Sequence, residues 1–220
     1  MSLETLRERL TGRLTPVGDW TPTLDAHRSD FDLNPDLTRP TRELRPAAVL
    51  IAVIARPEGA TVLLTRRADS LTSHTGQIAF PGGRLDAGET ALDAALREAR
   101  EEVALASEAV EVLGLGDPYE SGSGFLITPV IGWLTEPPMT RPSPDEVAEV
   151  FEAPWDFLMD VANHRRDFLE PEPGLRRWFW AMPWEDRYIW GVTAGILRAL
   201  RDRLYGNEAS QGAAVAEDAA

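Results

Sequence analysis

The sequence predicts an α+β protein, an α/β/α sandwich with a mixed β-sheet between helices. Three observations predict it. Apolar runs of strand length stand both before and after one amphipathic helical segment, without the regular alternation of a parallel βαβ array. Residues 46–54 are apolar throughout and read as a buried strand. A long segment near the C-terminus, residues 184–205, reads as a second helix with Ile189, Val192, Ile196, Leu197 and Leu200 on its inner side.

The elements follow in order. Residues 3–14 read as a short amphipathic helix. Residues 15–45, rich in Pro, Thr and Asp, read as an irregular arm: a solvent-facing leader, with a dimer contact or a substrate lid as the other roles. The run 46–54 and the run 61–65 form a hairpin across the turn residues Pro57-Glu58-Gly59-Ala60. Residues 77–80 are short and extended and end at Pro81. After the central helix, strands are expected at 109–115, 125–134 and 147–151; Pro129 suggests an edge strand or a bulge. A short helix follows at 155–159, then a strand at 176–182. Residues 206–220 are small, polar and acidic and read as a disordered tail. The organisation is thus an N-terminal helix and arm (1–45), one domain (46–205) and a tail (206–220).

Composition sets bounds on partners. With 220 residues and 43% apolar side chains the chain can build one sizeable core. A net charge of −14 argues against a nucleic-acid polymer as the main partner. It leaves room for a small anionic substrate, because a metal ion and local arginines can reverse the potential in a cleft. Lysine is absent, so all 22 Lys-or-Arg positions are arginine and lysine chemistry is excluded. Cysteine is absent too, which removes disulfides and thiol nucleophiles. No apolar run is long enough to span a bilayer, and residues 1–16 are amphipathic and charged, unlike a signal peptide. The expectation is a cytoplasmic protein with a small-molecule partner and no membrane role; its aromatic C-terminal region suits a homodimer contact.

Chemistry concentrates between Gly82 and Leu105, around Arg97-Glu98-Ala99-Arg100-Glu101-Glu102. On a helix Glu98, Glu101 and Glu102 share one side, while Leu92, Ala95, Leu96, Ala99 and Val103 form an apolar stripe for packing on a sheet. Thr90 suits an N-cap with Asp93 three residues on. Carboxylates held this close raise one another's pKa unless a cation sits among them, and oxygen donors of this kind suit Mg²⁺ or Mn²⁺. A solvated acidic helix face is the plain alternative. Glu89, just before the helix, can orient Arg97 or approach the acidic cluster.

These residues resemble the Nudix box, GX5EX7REUXEEXGU with U aliphatic: Gly83, Glu89, Arg97, Glu98, Glu101 and Glu102 all match, Ala99 takes the first U and Leu105 the last. One departure is Ala104, where the box has glycine. The preceding stretch, LLTRRADSLTSHTGQIAFPGG from Leu63 to Gly83, is similar to the added signature of the Nudix coenzyme A pyrophosphatases, LLTXR(S/A)X3RX3GX3FPGG. Thr72 departs from it, standing where that signature has its second arginine; Arg66 compensates only if its side chain reaches the same place. Segments at 145–151, 163–165 and 188–194 are similar to later parts of the same subfamily.

The resemblance implies a fold and an activity. The fold is the mixed sheet between helices already predicted. The activity is metal-dependent hydrolysis of the diphosphate of coenzyme A and its thioesters, giving a 4′-phosphopantetheine species and adenosine 3′,5′-bisphosphate. Glu98, Glu101 and Glu102 would hold Mg²⁺ or Mn²⁺. Arg97 would pair with Glu89 or Glu101 and orient the ligands. Glu98 is the first candidate for general base, Glu146 the second and His74 the third. Arg67, Arg66, His74, Gly82 and Gly83 line the expected substrate side. Two other readings stay open: a Nudix pyrophosphatase of ADP-ribose, dinucleotides or nucleoside triphosphates, and a Nudix module that binds a nucleotide without cleaving it. Trp178, Phe179, Trp180 and Trp184 read as packing residues, with an adenine platform or a dimer face as alternatives. Arg165-Arg166 and Arg176-Arg177 read as solvated, with contact to a substrate 3′-phosphate as the other role. His27 and His164 lack metal-like spacing and read as structural or surface residues.

Overall fold

The computed structural model describes residues 1–21, 28–68 and 76–206. The continuous apolar run becomes β2 (Arg45–Arg56), which turns through residues 57–58 into β3 (Gly59–Arg67). On β2, Ile51 and Val53 face one apolar cluster while Ala48, Leu50, Ala52 and Ile54 face a second. Both faces are covered, which is why the run shows no polar alternation. β8 (Phe125–Leu134) lies beside β2 in parallel over the whole register from Arg45↔Phe125 to Ile54↔Leu134.

β2 and β3 pair only at their hairpin end, from Val53↔Val62 to Arg56↔Gly59. Beyond that they splay apart. Two short strands fill the gap: β4 (Ile78–Ala79) pairs with β3, and β5 (Gly82–Arg84) pairs with β2. β9 (Val147–Pro154) covers the far side of β3. β6 (Glu111–Leu115), β7 (Tyr119–Glu120) and β1 (Arg28–Ser29) complete a nine-stranded mixed sheet beyond β8. On one face lies α2 (Ala91–Val103), against Leu50, Ala52, Ile54 and Leu63. On the other lie α1 (Leu3–Arg13), α3 (Trp155–Met159) and α4 (Val192–Tyr205). This is the expected α+β sandwich. A separate antiparallel sheet, β10 (Arg165–Glu172), β11 (Leu175–Trp184) and β12 (Arg187–Trp190), stands beside α4.

Four local expectations need correction. The helix expected from Trp184 begins at Val192. Residues 184–190 instead make a tight turn, with Glu185 at φ 53°, and a strand whose Ile189 pairs with Met182; Gly191 at φ 63° then starts the helix. β10 was not anticipated, because its sequence RRDFLEPE carries little apolar signal and its pairing with β11 supplies the order. Pro129 lies neither at an edge nor in a bulge. It sits in the middle of the sheet, opposite the break between β6, which ends at Leu115↔Val130, and β7, which starts at Tyr119↔Ile127; its carbonyl accepts from Gly116 N (2.9 Å). The described part of the arm is no solvent-facing leader. Thr15 exchanges backbone hydrogen bonds with Leu115, and the buried Asn34 side chain donates to the Trp178 carbonyl (2.8 Å) and accepts from the Trp178 N–H (2.7 Å). The tail expected from 206 onward lies outside the described residues from 207.

α2 begins with the anticipated cap: Thr90 Oγ1 accepts from Asp93 N (3.2 Å), and the Asp93 carboxylate accepts from Thr90 N (3.1 Å). Ala91, Ala94, Ala95 and Ala99 present a small-residue face to the sheet. The helix ends at Ala104, in the left-handed region at φ 55°, ψ 27°. That is the conformation glycine adopts without a Cβ penalty. Ala104→Gly should therefore raise stability by about 0.5–1 kcal/mol, as the relief of strain outweighs the entropy glycine adds to the unfolded chain. Urea unfolding checks this; an unchanged or lower midpoint would show that the turn bears no strain.

Candidate active site

The site is built where β2 and β3 splay. The strand β5 must pass close to both the sheet and α2, and glycine makes that approach feasible. A Cβ on Gly82 would collide with the backbone of Ala48 and Val49, and one on Gly83 would collide with the Glu98 carboxylate. The backbone thus brings α2's acidic side against the end of the sheet. A second loop arrives from the other side. Arg141 N donates to the Val103 carbonyl (2.9 Å) and Ser143 N to the Glu102 carbonyl (2.8 Å), using carbonyls that the end of a helix leaves free. The same loop ties to β3 where Ala68 N donates to the Glu146 carbonyl (2.9 Å). Glu146 is thereby carried to the acidic side of α2.

Glu98, Glu102 and Glu146 form an electrostatically coupled group. Glu102 is only 5% exposed and accepts one backbone hydrogen bond, from Gly82 N (3.3 Å). Burial pushes its carboxyl up to about 7; the charges of Glu98 and Glu146 push the same way, while the Gly82 bond and the Arg67 charge oppose. Burial also raises Glu98, against the pull of Arg97. Arg67 is a cation that acts on this group from the sheet, and among the described residues its buried Nε has no hydrogen-bond partner.

Arg97 organises the exposed flank. Its Nε and Nη2 donate to the two oxygens of Glu89 (2.7 and 3.0 Å), Nη1 donates to Glu98 Oε1 (2.9 Å) and Glu101 Oε2 (3.1 Å), and Nη2 also reaches the Arg84 carbonyl (3.1 Å). Glu89 is further held by Asp86 N (2.8 Å), and its carboxyl falls to about 2, first because of Arg97. Of the two roles open to Glu89, orienting Arg97 is the one it performs here. Asp86, which sequence reasoning did not single out, sits 3.9 Å from Arg97; its position in the turn before Glu89 was the available signal.

The structure brings Glu98, Glu102, Glu146, Arg67, Gly82 and Gly83 together. Glu101 stands apart. Its side chain is 53% exposed and turned to Arg97, so the expected three-acid projection is one buried acid, Glu102, beside the half-buried Glu98, with Glu101 at the rim. Among the described residues no three acidic or histidine groups are already arranged as a metal cage. Arg66 is drawn to Glu149 (3.4 Å), an acid that also takes Arg187. His74 and Thr72, like His27, lie outside the described residues. His164 is structural: buried, with Nε2 at 2.7 Å from the Leu158 carbonyl.

The donor set fits a hard divalent cation. Every candidate ligand is a carboxylate oxygen, and Arg97 engages only one oxygen of Glu98 and one of Glu101, leaving the second of each. The raised carboxyl of Glu102 marks a place where positive charge would be favourable.

Comparison with known proteins identifies the family. A family model described as NUDIX domain matches residues 44–174. Relatives described as uncharacterized Nudix hydrolase NudL, from Salmonella paratyphi B and Salmonella heidelberg, are each 44% identical over 182 residues, spanning 81% of this chain and 93% of their own. Among solved structures, the Nudix hydrolase RenU from M. smegmatis is 30% identical, with a TM-score of 0.45, over 54% of this chain and 73% of that one. An Ap4A hydrolase from C. elegans is 21% identical, with a TM-score of 0.45, over 50% of this chain and 80% of its own.

The Glu102 environment has a pH signature. Its folded carboxyl titrates near 7 and its unfolded one at 4.5, so between these values the folded state binds more protons and stability falls as pH rises. In EDTA the loss should approach, at most, about 1.4 kcal/mol per pH unit. Glu102→Gln should flatten most of that slope in urea unfolding at pH 5 and pH 7.5; the same slope in both proteins would place the buried charge elsewhere.

Proposed function

Because this chain belongs to the Nudix hydrolase family, whose members act on pyrophosphate bonds, we propose that its substrate is coenzyme A or an acyl-CoA. Products would be a 4′-phosphopantetheine species and adenosine 3′,5′-bisphosphate. The observation that carries the reading is Arg67. This arginine, in the stretch LLTRRA that resembles the coenzyme A pyrophosphatase signature, stands at the acidic group with a buried Nε that no group among the described residues satisfies. A guanidinium held that way suits a diphosphate oxygen.

Each residue then has a role. Glu98 and Glu102, with Glu101 brought in from the rim, would hold Mg²⁺ or Mn²⁺. When bound, the ion supplies charge neutralisation for the diphosphate and a more acidic water. Glu98, through Oε2, the oxygen that Arg97 leaves free, would take a proton from the attacking water; Glu146 is the alternative base. Arg97 orients Glu98 and Glu101, and Glu89 orients Arg97. Gly82 and Gly83 admit the close approach that puts these groups in one place. A preference for ADP-ribose, a dinucleotide or a nucleoside triphosphate is the second reading, favoured by Thr72 in place of the signature arginine.

The test is a substrate panel. CoA, acetyl-CoA, ADP-ribose, NADH and dATP are each incubated with the protein in Mg²⁺ and in Mn²⁺, and products are resolved by chromatography. Adenosine 3′,5′-bisphosphate from CoA at the highest kcat/KM is expected; a nucleotide cleaved faster than CoA would move the assignment to the second reading. Glu102→Gln should lower kcat at least about 100-fold while the thermal midpoint at pH 8 holds or rises, since a buried charge is removed. Near-parental turnover would mean that the ion is held elsewhere.

A further inference from the structure

A second cavity, of about 250 Å³, opens at the same end of the sheet. Trp178, Phe179 and Trp190 form its aromatic lining, joined by Arg177, Gln77 and Gly191 at the start of α4. Phe179 and Trp190 pack with ring centroids 5.0 Å apart. These rings sit at the cavity instead of deep in the core, whereas Trp180 and Trp184 pack against the main cluster. The cavity adjoins the acidic group through one hydrogen bond: Arg67 N donates to the Gln77 carbonyl (3.0 Å), and the Arg67 charge acts on Glu102.

Arg177 and Asp30 line the cavity, and further arginines gather behind its wall in a chain of net charge −14. Three arginines converge on the turn at 122–123, which lines the cavity. Arg42 Nη2 donates to the Gly122 carbonyl (2.8 Å), Arg45 Nη2 donates to the Ser123 carbonyl (3.0 Å), and Arg177 lies against Gly122, where a Cβ would displace it. Among the described residues Arg42 and Arg45 have no acidic partner. Arg177 is 47% exposed, and among the described residues it pairs with Asp30 at 3.9 Å. That carboxylate is already held by the Tyr119 hydroxyl (2.8 Å) and Gly122 N (2.7 Å). Aromatic faces beside cations short of counter-charge match a planar base carrying a phosphate on its sugar.

We propose that this cavity receives the nucleoside 3′-phosphate end of the substrate. The base lies against Phe179 and Trp190, which share one face of the three-stranded sheet, and the 3′-phosphate meets Arg177 and, past Gly122, Arg42. The proposal rests on the coenzyme A reading and assigns its adenosine half. The diphosphate would then reach Arg67 and the carboxylates across Gln77.

Binding and turnover test it separately. In calorimetry with metal-free protein, adenosine 3′,5′-bisphosphate should bind about tenfold more tightly than adenosine 5′-monophosphate. Arg177→Gln and, independently, Arg42→Gln should each remove most of that difference, with unfolding midpoints showing that both variants are folded. In turnover, the ratio of kcat/KM for CoA over 3′-dephospho-CoA should fall about tenfold in each variant. No bisphosphate binding by the parent, equal affinity for the two nucleotides, or an unchanged ratio in both folded variants would overturn the proposal. A parent that discriminates the bisphosphate yet cleaves ADP-ribose and not CoA would uphold the cavity and remove the CoA reading.

Discussion

The structure depends on how closely one short strand can approach its neighbours. β5 lies in the gap that opens between β2 and β3, with Gly82 against the β2 backbone and Gly83 against the Glu98 carboxylate. Any larger side chain at either place would push α2 off the sheet or turn Glu98 away. The alanine face of α2 answers the same constraint from the helix side, since small side chains let it settle against Leu50, Ala52 and Leu63. Glycine in the strand and alanine on the helix are two halves of one packing solution, and the acidic side of α2 inherits its position from it.

That position carries an electrostatic cost. Glu102 is taken almost wholly out of water with two other carboxylates nearby, and only Gly82 N and the Arg67 charge oppose the penalty. Arg97 distributes positive charge over Glu89, Glu98 and Glu101 at the rim, where solvent still screens. The result is graded: acids tied by arginine toward the rim, and the undercompensated Glu102 inside. A site of this kind favours a divalent cation and an anionic substrate arriving together, because each supplies the charge the other lacks. An acidic protein can thus serve an acidic substrate.

Around this centre the rest of the chain builds walls. The arm before β2 and the three-stranded sheet after α3 meet through Asn34 and the backbone of Trp178, so two distant segments are joined across one buried amide. Their meeting sets the gathered arginines and the aromatic cavity at the end of the sheet that bears the acids.

Much of this was legible in the residues alone. The strands at 46–54 and 125–134, the capped helix after Thr90 and the Glu98–Arg97–Glu89 grouping follow from local periodicity, capping chemistry and spacing, which act within a few residues. Other features were not. RRDFLEPE is a strand only because β11 pairs with it, and residues 187–190 are a strand because Met182 and Ala181 lie opposite, although their apolar spacing also suits a helix. Pro129 is tolerated mid-sheet because the neighbouring strand breaks beside it. Glu101's turn toward Arg97, the burial of Glu102 and the gathering of Arg42, Arg45 and Arg177 on one turn are likewise set by distant contacts. By itself the sequence determined which charged groups stand close along the chain. Tertiary structure decided which are buried, which are neutralised and which are left facing a substrate, because desolvation and long-range pairing exist only once the chain has closed on itself.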